Sequence, residues 1–594
     1  MDFYGFYTGK IFDAHKFLGA HVEEDGVVFR TFAPGARRIT LIGDFNNWQE
    51  QDMHKACDGN FWELKVENAK SGMMYKYRIY GSTGRTVEHC DPYGYGMELR
   101  PNSASIIRDM EYTFSDEAWM NKRTDCKDKP LNIYEVHFGS FRKPGEANDA
   151  WYTYEEMADI LIPYLKENGY NYLEIMPLNE YPCDESWGYQ STGFFSPTSR
   201  YGSATQLKYF VDKCHQNDIG VIMDYVPVHF AVDDYALAYY DGTALYEYPH
   251  SAVGVSEWGS SNFMHSRGEV RSFLQSAANY WIEEFHMDGL RMDAISRAIY
   301  WQGDPARGVN NNAVEFLRYM NQGLKSMHPT VLLAAEDSTS FPAVTKPADQ
   351  GGLGFDYKWD MGWMNDTLEY FRTGPEYRSR DYHKLTFSMS YYHDDCFMMP
   401  LSHDEVVHGK ATIMQKMHGD YEDKFPQARA FYMYMYAHPG KKLNFMGNEF
   451  GQLREWDEKR QQDWEILEYP NHQMFHRFMR DLNYVYAAHP ALWQFDYEDK
   501  GFLWLDCHCE EKCIYTFERS SEKERIVAVF NFSDKEQENY SFSVANSKKL
   551  TRIIGSAQDI YGGNDANSQV EVTSETGEFT VTLPAYSAEF YLVK

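Results

Sequence analysis

Eight apolar runs, each of strand length, recur between residues 132 and 448, with helical patterns in the gaps. They are NIYEVHF (132–138), NYLEIMPL (171–178), GVIMDYV (220–226), DGLRMDA (288–294), TVLLAAED (330–337), LGFDYKW (353–359), CFMMPLSH (396–403) and KLNFMGN (442–448). Runs this continuous in apolar residues describe strands buried on both faces, as in parallel sheets covered by helices. Two of the helices are legible in detail. Ser203 followed three residues later by Gln206 forms a capping-box pattern, after which Leu207, Phe210, Val211 and Cys214 share one face. A second pattern runs through Val270, Phe273, Leu274, Ala277, Trp281, Ile282 and Phe285 and stops before Asp288-Gly289. Eight strand–helix units predict an α/β fold, a closed parallel (β/α)8 TIM barrel. An open doubly wound sheet alternates similarly, but the Gly-rich phosphate-binding turn it often carries is absent.

The barrel takes up only the middle of the chain. Residues 21 to 112 are strand-rich, with GVVFRTFAP, RRITLIGDF, NFWELKV and MYKYRIYG split by turn residues, which predicts a β-sandwich. The polar stretch SDEAWMNKRTDCKDKP reads as a linker. From residue 497 short strands return (FLWLDC, KCIYTFER, RIVAVFNFS, SAEFYLVK), predicting a C-terminal antiparallel sandwich. The expected domains are 1–115, 116–496 and 497–594.

In such a barrel chemistry sits at the C-terminal ends of the strands. Strand three ends in Asp224 and is followed by His229, strand four ends in Arg291 and Asp293, strand five in Glu336 and Asp337, and strand seven in His403 and Asp404. The two-residue period of a strand puts Arg291 and Asp293 on one side, with Leu290 and Met292 on the other. An arginine beside Asp293 favours its ionised form, whereas a neighbouring negative charge and partial burial favour the protonated form of Glu336. One ionised and one protonated carboxyl group is the pair that retaining glycoside chemistry needs. On this reading Asp293 attacks the anomeric carbon. Glu336 protonates the departing oxygen and then deprotonates the attacking hydroxyl, Asp404 binds sugar hydroxyls and assists ring distortion, and His229 and His403 hold hydroxyls of the same ring. The competing reading is a set of rim ion pairs; four strands ending this way favour catalysis. Asp288, beside Gly289 at the strand's beginning, reads as turn chemistry.

Composition narrows the partners. A net charge of −31 repels phosphate backbones and anionic membranes, so neither nucleic acid nor membrane is expected. The 46 Tyr and 14 Trp suit neutral ligands with an apolar face, such as sugars. Nine scattered cysteines, no basic leader and no long apolar span predict a cytoplasmic protein. CHCEEKC (507–513) lacks a second ligand pair at zinc spacing and falls among strands, so no metal site is assigned and no cofactor is called for.

DYVPVH, DGLRMDA, AAED and LSHDE resemble, in order, the four motifs of the α-amylase superfamily of retaining glycosidases and transglycosylases. FRTFAPGARRITLIGDFNNW looks like the glycan-binding sandwich that precedes the barrel in glycogen-active members. SWGYQSTGFFSPTSRYG, GFDYKWDMGWMNDTLEY, LSHDEVVHGK and NFMGNEFGQLREW resemble the bacterial 1,4-α-glucan (glycogen) branching enzymes. The resemblance implies Asp293 as nucleophile, Glu336 as acid/base and Asp404 as transition-state stabiliser. It also places Asp224, His229, Arg291 and His403 around the cleaved glucose, with Tyr189 stacked on it. Val228 stands where many amylases have Asn before His229, so an amylase-type calcium site is not implied. The implied partner is an α-glucan polysaccharide (glycogen, amylose or amylopectin), and a monomer is expected, with oligomeric state left open. Trp187, Trp359, Trp363 and Trp456, read as loop residues after strands, are candidate stacking platforms for the glucan. An α-glucan hydrolase and a glycan-binding protein with an inactive barrel are the alternatives. An Asp293, Glu336 and Asp404 set that is intact speaks against the latter.

Overall fold

The computed structural model describes residues 1–594. All eight expected strands form, as Asn132–Val136, Tyr172–Ile175, Gly220–Tyr225, Gly289–Met292, Leu332–Ala335, Tyr357–Trp359, Phe397–Leu401 and Lys441–Phe445. They close in sequence order into a parallel barrel, and every one of their residues is buried. The helix Ala204–Gln216 carries the expected capping box, with Ser203 and Gln206 each satisfying the other's backbone N–H. The helix Gly268–Phe285 ends on His286 in the left-handed conformation rather than on the following glycine. No helix is long and apolar enough to cross a membrane.

The chain divides into two compact units. The first comprises Met1–Thr124, His137–Ile162 and Glu174–Asp356. Its N-terminal part holds two antiparallel sheets, one of Gly19–Glu23, Gly26–Phe32, Phe61–Val66 and His54–Ala56, the other built on Ala36–Gly43, Met74–Gly81 and Thr86–His89. The residues ahead of them dock on the helix Gly268–Phe285: Ser272 Oγ donates to Phe6 O at 2.9 Å, and Gln275 Nε2 donates to Gly9 O and Ile11 O, each at 3.1 Å. The approach requires glycine, since a Cβ on Gly268 would lie 1.8 Å from Tyr7 O. Gly268→Ala is therefore expected to cost about 1–3 kcal/mol, read as a lower urea midpoint. An unchanged midpoint would show that this docking is not maintained in solution.

Asp288 extends an expectation. It lies between helix and strand as expected, but beyond turn chemistry it is a buried hub at the start of the fourth strand. Its Oδ1 accepts from Trp119 Nε1 (2.8 Å) and Arg123 Nη1 (3.0 Å), and its Oδ2 accepts from Val221 N (2.7 Å) and faces His215 Nε2 (2.7 Å). The other ring nitrogen of His215 lies 2.7 Å from Asp116 Oδ2, which also meets His286 Nδ1 at 2.8 Å. Burial opposes a charge on His215, but Asp288 and Asp116 outweigh it and push its pKa up to about 9. An imidazolium that donates to both carboxylates is the state this geometry favours.

The second unit comprises Asp125–Val136, Pro163–Leu173 and Tyr357–Lys594. Its C-terminal part is a six-stranded antiparallel sheet and a two-stranded one, Gln537–Ser543 with Glu578–Leu583. Val527, Val529 and Tyr591 from the larger sheet share one apolar core with Phe542, Phe579 and Val581 from the smaller. Asp496, fully buried, is held by Lys441 (3.0 Å) and Arg519 (2.7 Å).

Candidate active site

Register builds the centre of the site in the first unit. The third and fourth strands pair in parallel with Asp224 opposite Arg291, so the two side chains emerge together. The Arg291 side chain is 1% exposed. Its Nη1 donates to Asp224 Oδ1 (2.6 Å), Asp293 Oδ1 (3.0 Å) and Tyr189 OH (3.3 Å), and its Nη2 to Glu336 Oε2 (2.8 Å). Burial disfavours the guanidinium charge, but Asp224, Glu336, Tyr189 and Asp293 outweigh it, and the pKa of Arg291 stands well above its ordinary value. Leu290 and Met292 point into the core, as the period of two requires.

Asp293 lies one residue beyond the strand, its N–H donating to Tyr225 O (3.0 Å). The chain then turns through Ala294, whose φ of +46° is a left-handed conformation costing an alanine about 1 kcal/mol or more. That turn aims the Ala294 N–H at Glu336 Oε2 (2.9 Å), while Ile295 N–H donates to Glu336 O (3.1 Å). Here the sequence reading is corrected. Glu336 is not set apart from the arginine; it shares Arg291 with Asp293. Both of these donors end on Oε2. Asp337 turns away, its Oδ1 accepting from Thr339 N–H and Oγ1.

Tyr189 donates its hydroxyl proton to Asp224 Oδ2, which fixes its ring close to Arg291. Trp187, half-buried, occupies a left-handed turn after Asp184, and Arg100 and Arg200 both grip that aspartate. His229 opens a two-residue strand and faces Ser260 Oγ through Nδ1 (2.9 Å). Burial lowers its pKa to about 4, so the ring is neutral near pH 7.

In the second unit, His403 follows the seventh strand and is anchored by Glu135 of the first strand. The backbone N–H of His403 donates to Oε2 (3.0 Å), and its Nδ1 lies 2.6 Å from Oε1. Glu135 went unnoticed in the sequence, where the only signal is one charge inside the apolar run NIYEVHF. His403 Nε2 stands 3.5 Å from Asp404 Oδ1, and the Asp404 side chain is half-buried. The tryptophans of this unit correct the expectation that they form loop platforms. Trp359 is the last residue of a strand, Trp363 lies in the helix Met361–Arg372, and each is 1% exposed; Trp456 is buried as well. Trp359, as it stands, presents no face on which a glucan could stack.

Three family models match the chain: "Carbohydrate-binding module 48 (Isoamylase N-terminal domain)" at residues 17–94, "Alpha amylase, catalytic domain" at 158–243, and "Alpha amylase, C-terminal all-beta domain" at 504–594. The 1,4-alpha-glucan branching enzyme GlgB of Fusobacterium nucleatum subsp. nucleatum is 44% identical over 572 residues, covering 95% of this chain and 93% of that one. The chain belongs to the 1,4-alpha-glucan branching enzymes. A relative of the same name from Marinobacter nauticus is 41% identical over 598 residues, covering 97% of this chain and 94% of its own. The solved structure of a pullulanase from Bacillus acidopullulyticus shares the fold, with a TM-score of 0.73 at 18% identity over 97% of this chain and 75% of that one. The branching-enzyme motifs thus lie at the ends of barrel strands three, four, five and seven.

Proposed function

We propose that this branching enzyme cleaves an α-1,4 linkage of a glucan and transfers the released segment to a glucose 6-hydroxyl, forming an α-1,6 branch by double displacement. The observation that supports the reading is one buried guanidinium bonded to both Asp293 and Glu336, which brings the two carboxyl groups together at one end of the barrel. Asp293 attacks the anomeric carbon as the glycosidic bond breaks, and Glu336 gives its proton to the departing 4-oxygen. The glycosyl–Asp293 ester is then broken by an acceptor 6-hydroxyl, whose proton Glu336 takes. Asp404 keeps the role its motif implies, stabilising the oxocarbenium-like transition state, and His403 and neutral His229 hold ring hydroxyls. Tyr189 lies against the cleaved glucose, with Trp187 on the same turn.

Branching differs from hydrolysis only in what intercepts the ester, so positioning an acceptor and excluding water decide the outcome. The substrates are α-glucans, in keeping with the carbohydrate-binding module at residues 17–94. We place the reaction in the cytoplasm and assign it to the monomer. Incubated with amylose, the enzyme is expected to lower iodine absorbance with little gain in reducing ends. A proportionate gain in reducing ends would make it a hydrolase.

A further inference from the structure

Trp258 lies in the long excursion between the third strand and the helix Gly268–Phe285, and it is 45% exposed. The exposed indole offers an apolar face to a ligand. Its surroundings belong to the site just described. The indole lies 5.1 Å from the His229 ring, centre to centre, at an interplanar angle of 38°. The guanidinium of Arg297, four residues after Asp293, stands 5.5 Å from the indole.

The loop that carries the ring is tied down from several sides. Gln190, next to Tyr189, donates to Trp258 O at 3.3 Å. Trp258 N–H donates to Ser256 Oγ (3.2 Å), Ser256 Oγ meets Ser260 Oγ (2.5 Å), and Ser260 Oγ meets His229 Nδ1 (2.9 Å). On the other side Arg297 pairs with Glu257 (2.6 Å), and Gln302 donates to Ala252 O (3.1 Å) and Val255 O (2.9 Å). This loop is clamped to the segment that follows the nucleophile.

We infer that Trp258 is a substrate-contacting residue, a stacking platform for the glucose unit next to the one held by His229 in an α-1,4-glucan chain. A pyranose of this kind presents C–H groups on one face, and an indole on a tied-down loop can stack on them without the loop having to be ordered on binding. The inference rests on the assignment of His229 and Asp293 to the active site.

The test measures maltoheptaose binding by calorimetry in the Asp293→Asn enzyme, with and without Trp258→Ala or Trp258→Phe. Trp258→Ala is expected to weaken binding about tenfold through loss of the stacked aromatic face, and Trp258→Phe to restore most of the loss. In the otherwise wild-type enzyme, Trp258→Ala is expected to raise KM for amylose by a similar factor with little change in kcat. Unchanged maltoheptaose affinity would overturn the proposal. So would a fall in kcat at constant KM, because Trp258 would then act only through His229. If Asp293→Asn alone stayed active, it would be the site assignment that failed.

Discussion

Asp293→Asn is expected to lower branching activity by roughly four orders of magnitude or more, the scale seen when a covalent nucleophile is removed. Asparagine fills nearly the same volume, and its side-chain oxygen still accepts from Arg291 Nη1. That guanidinium also keeps Asp224, Tyr189 and Glu336. Thermal unfolding should therefore stay within about 2 °C, because no buried charge loses its last partner. Glu336→Gln is the companion variant. It keeps the acceptor facing Arg291 and Ala294 but supplies no proton, so bond cleavage to a poor leaving group should fall by about two to four orders of magnitude. The iodine assay on amylose reads both losses. Wild-type turnover in either variant would remove these two residues from the mechanism.

The second large effect lies at the other end of the same strand. Asp288→Ala leaves Arg123 and a charged His215 buried with one carboxylate fewer, and breaking such a pair costs about 3–5 kcal/mol. A urea midpoint should register most of that loss. The wild-type protein carries a matching pH signature. His215 has a folded pKa near 9, above its unfolded value, so its contribution is complete below about 6.5 and disappears as pH rises through 9. Burial tends to raise the pKa of Asp116, but its contacts to His215 and His286 overcome this and hold it near 2; its contribution is complete above about 4 and is lost as pH falls through 2. Urea midpoints should therefore drop between pH 7 and 9.5 in the wild type, and by less in Asp288→Ala. Equal slopes for the two proteins would disprove the linkage.

What could be read from the sequence follows a physical division. The eight barrel strands were legible because burial on both faces leaves continuous apolar runs of strand length, separated here by longer helical patterns. Asp224, Arg291, Asp293, Glu336, His403 and Asp404 were legible because each breaks or ends such a run. Contacts across long separations were not. Trp119 and Arg123 stand 169 and 165 positions from Asp288, and a charge beside Gly289 looks locally like a turn. Arg291 was paired on paper with its neighbour two residues away, while its bond to Glu336 spans 45 residues. Trp359 has the composition of a platform, yet as the last residue of a buried strand it is part of the core. Trp258 stood out in no motif; its meaning comes from the neighbours the fold gives it.

The strand Gly289–Met292 thus has an acidic residue at each end, Asp288 for cohesion and Asp293 for the bond-making we propose, roughly 16 Å apart at about 3.3 Å per residue. Effects separated by that distance, with no partner in common, add independently. Selection for heat resistance can therefore act on Trp119, Arg123 and His215 without trading away turnover, and selection on product structure can reshape the open rim without loosening the barrel. A double variant at positions 288 and 293 should behave as the sum of its parts. The four residues between them act as an insulator between durability and chemistry.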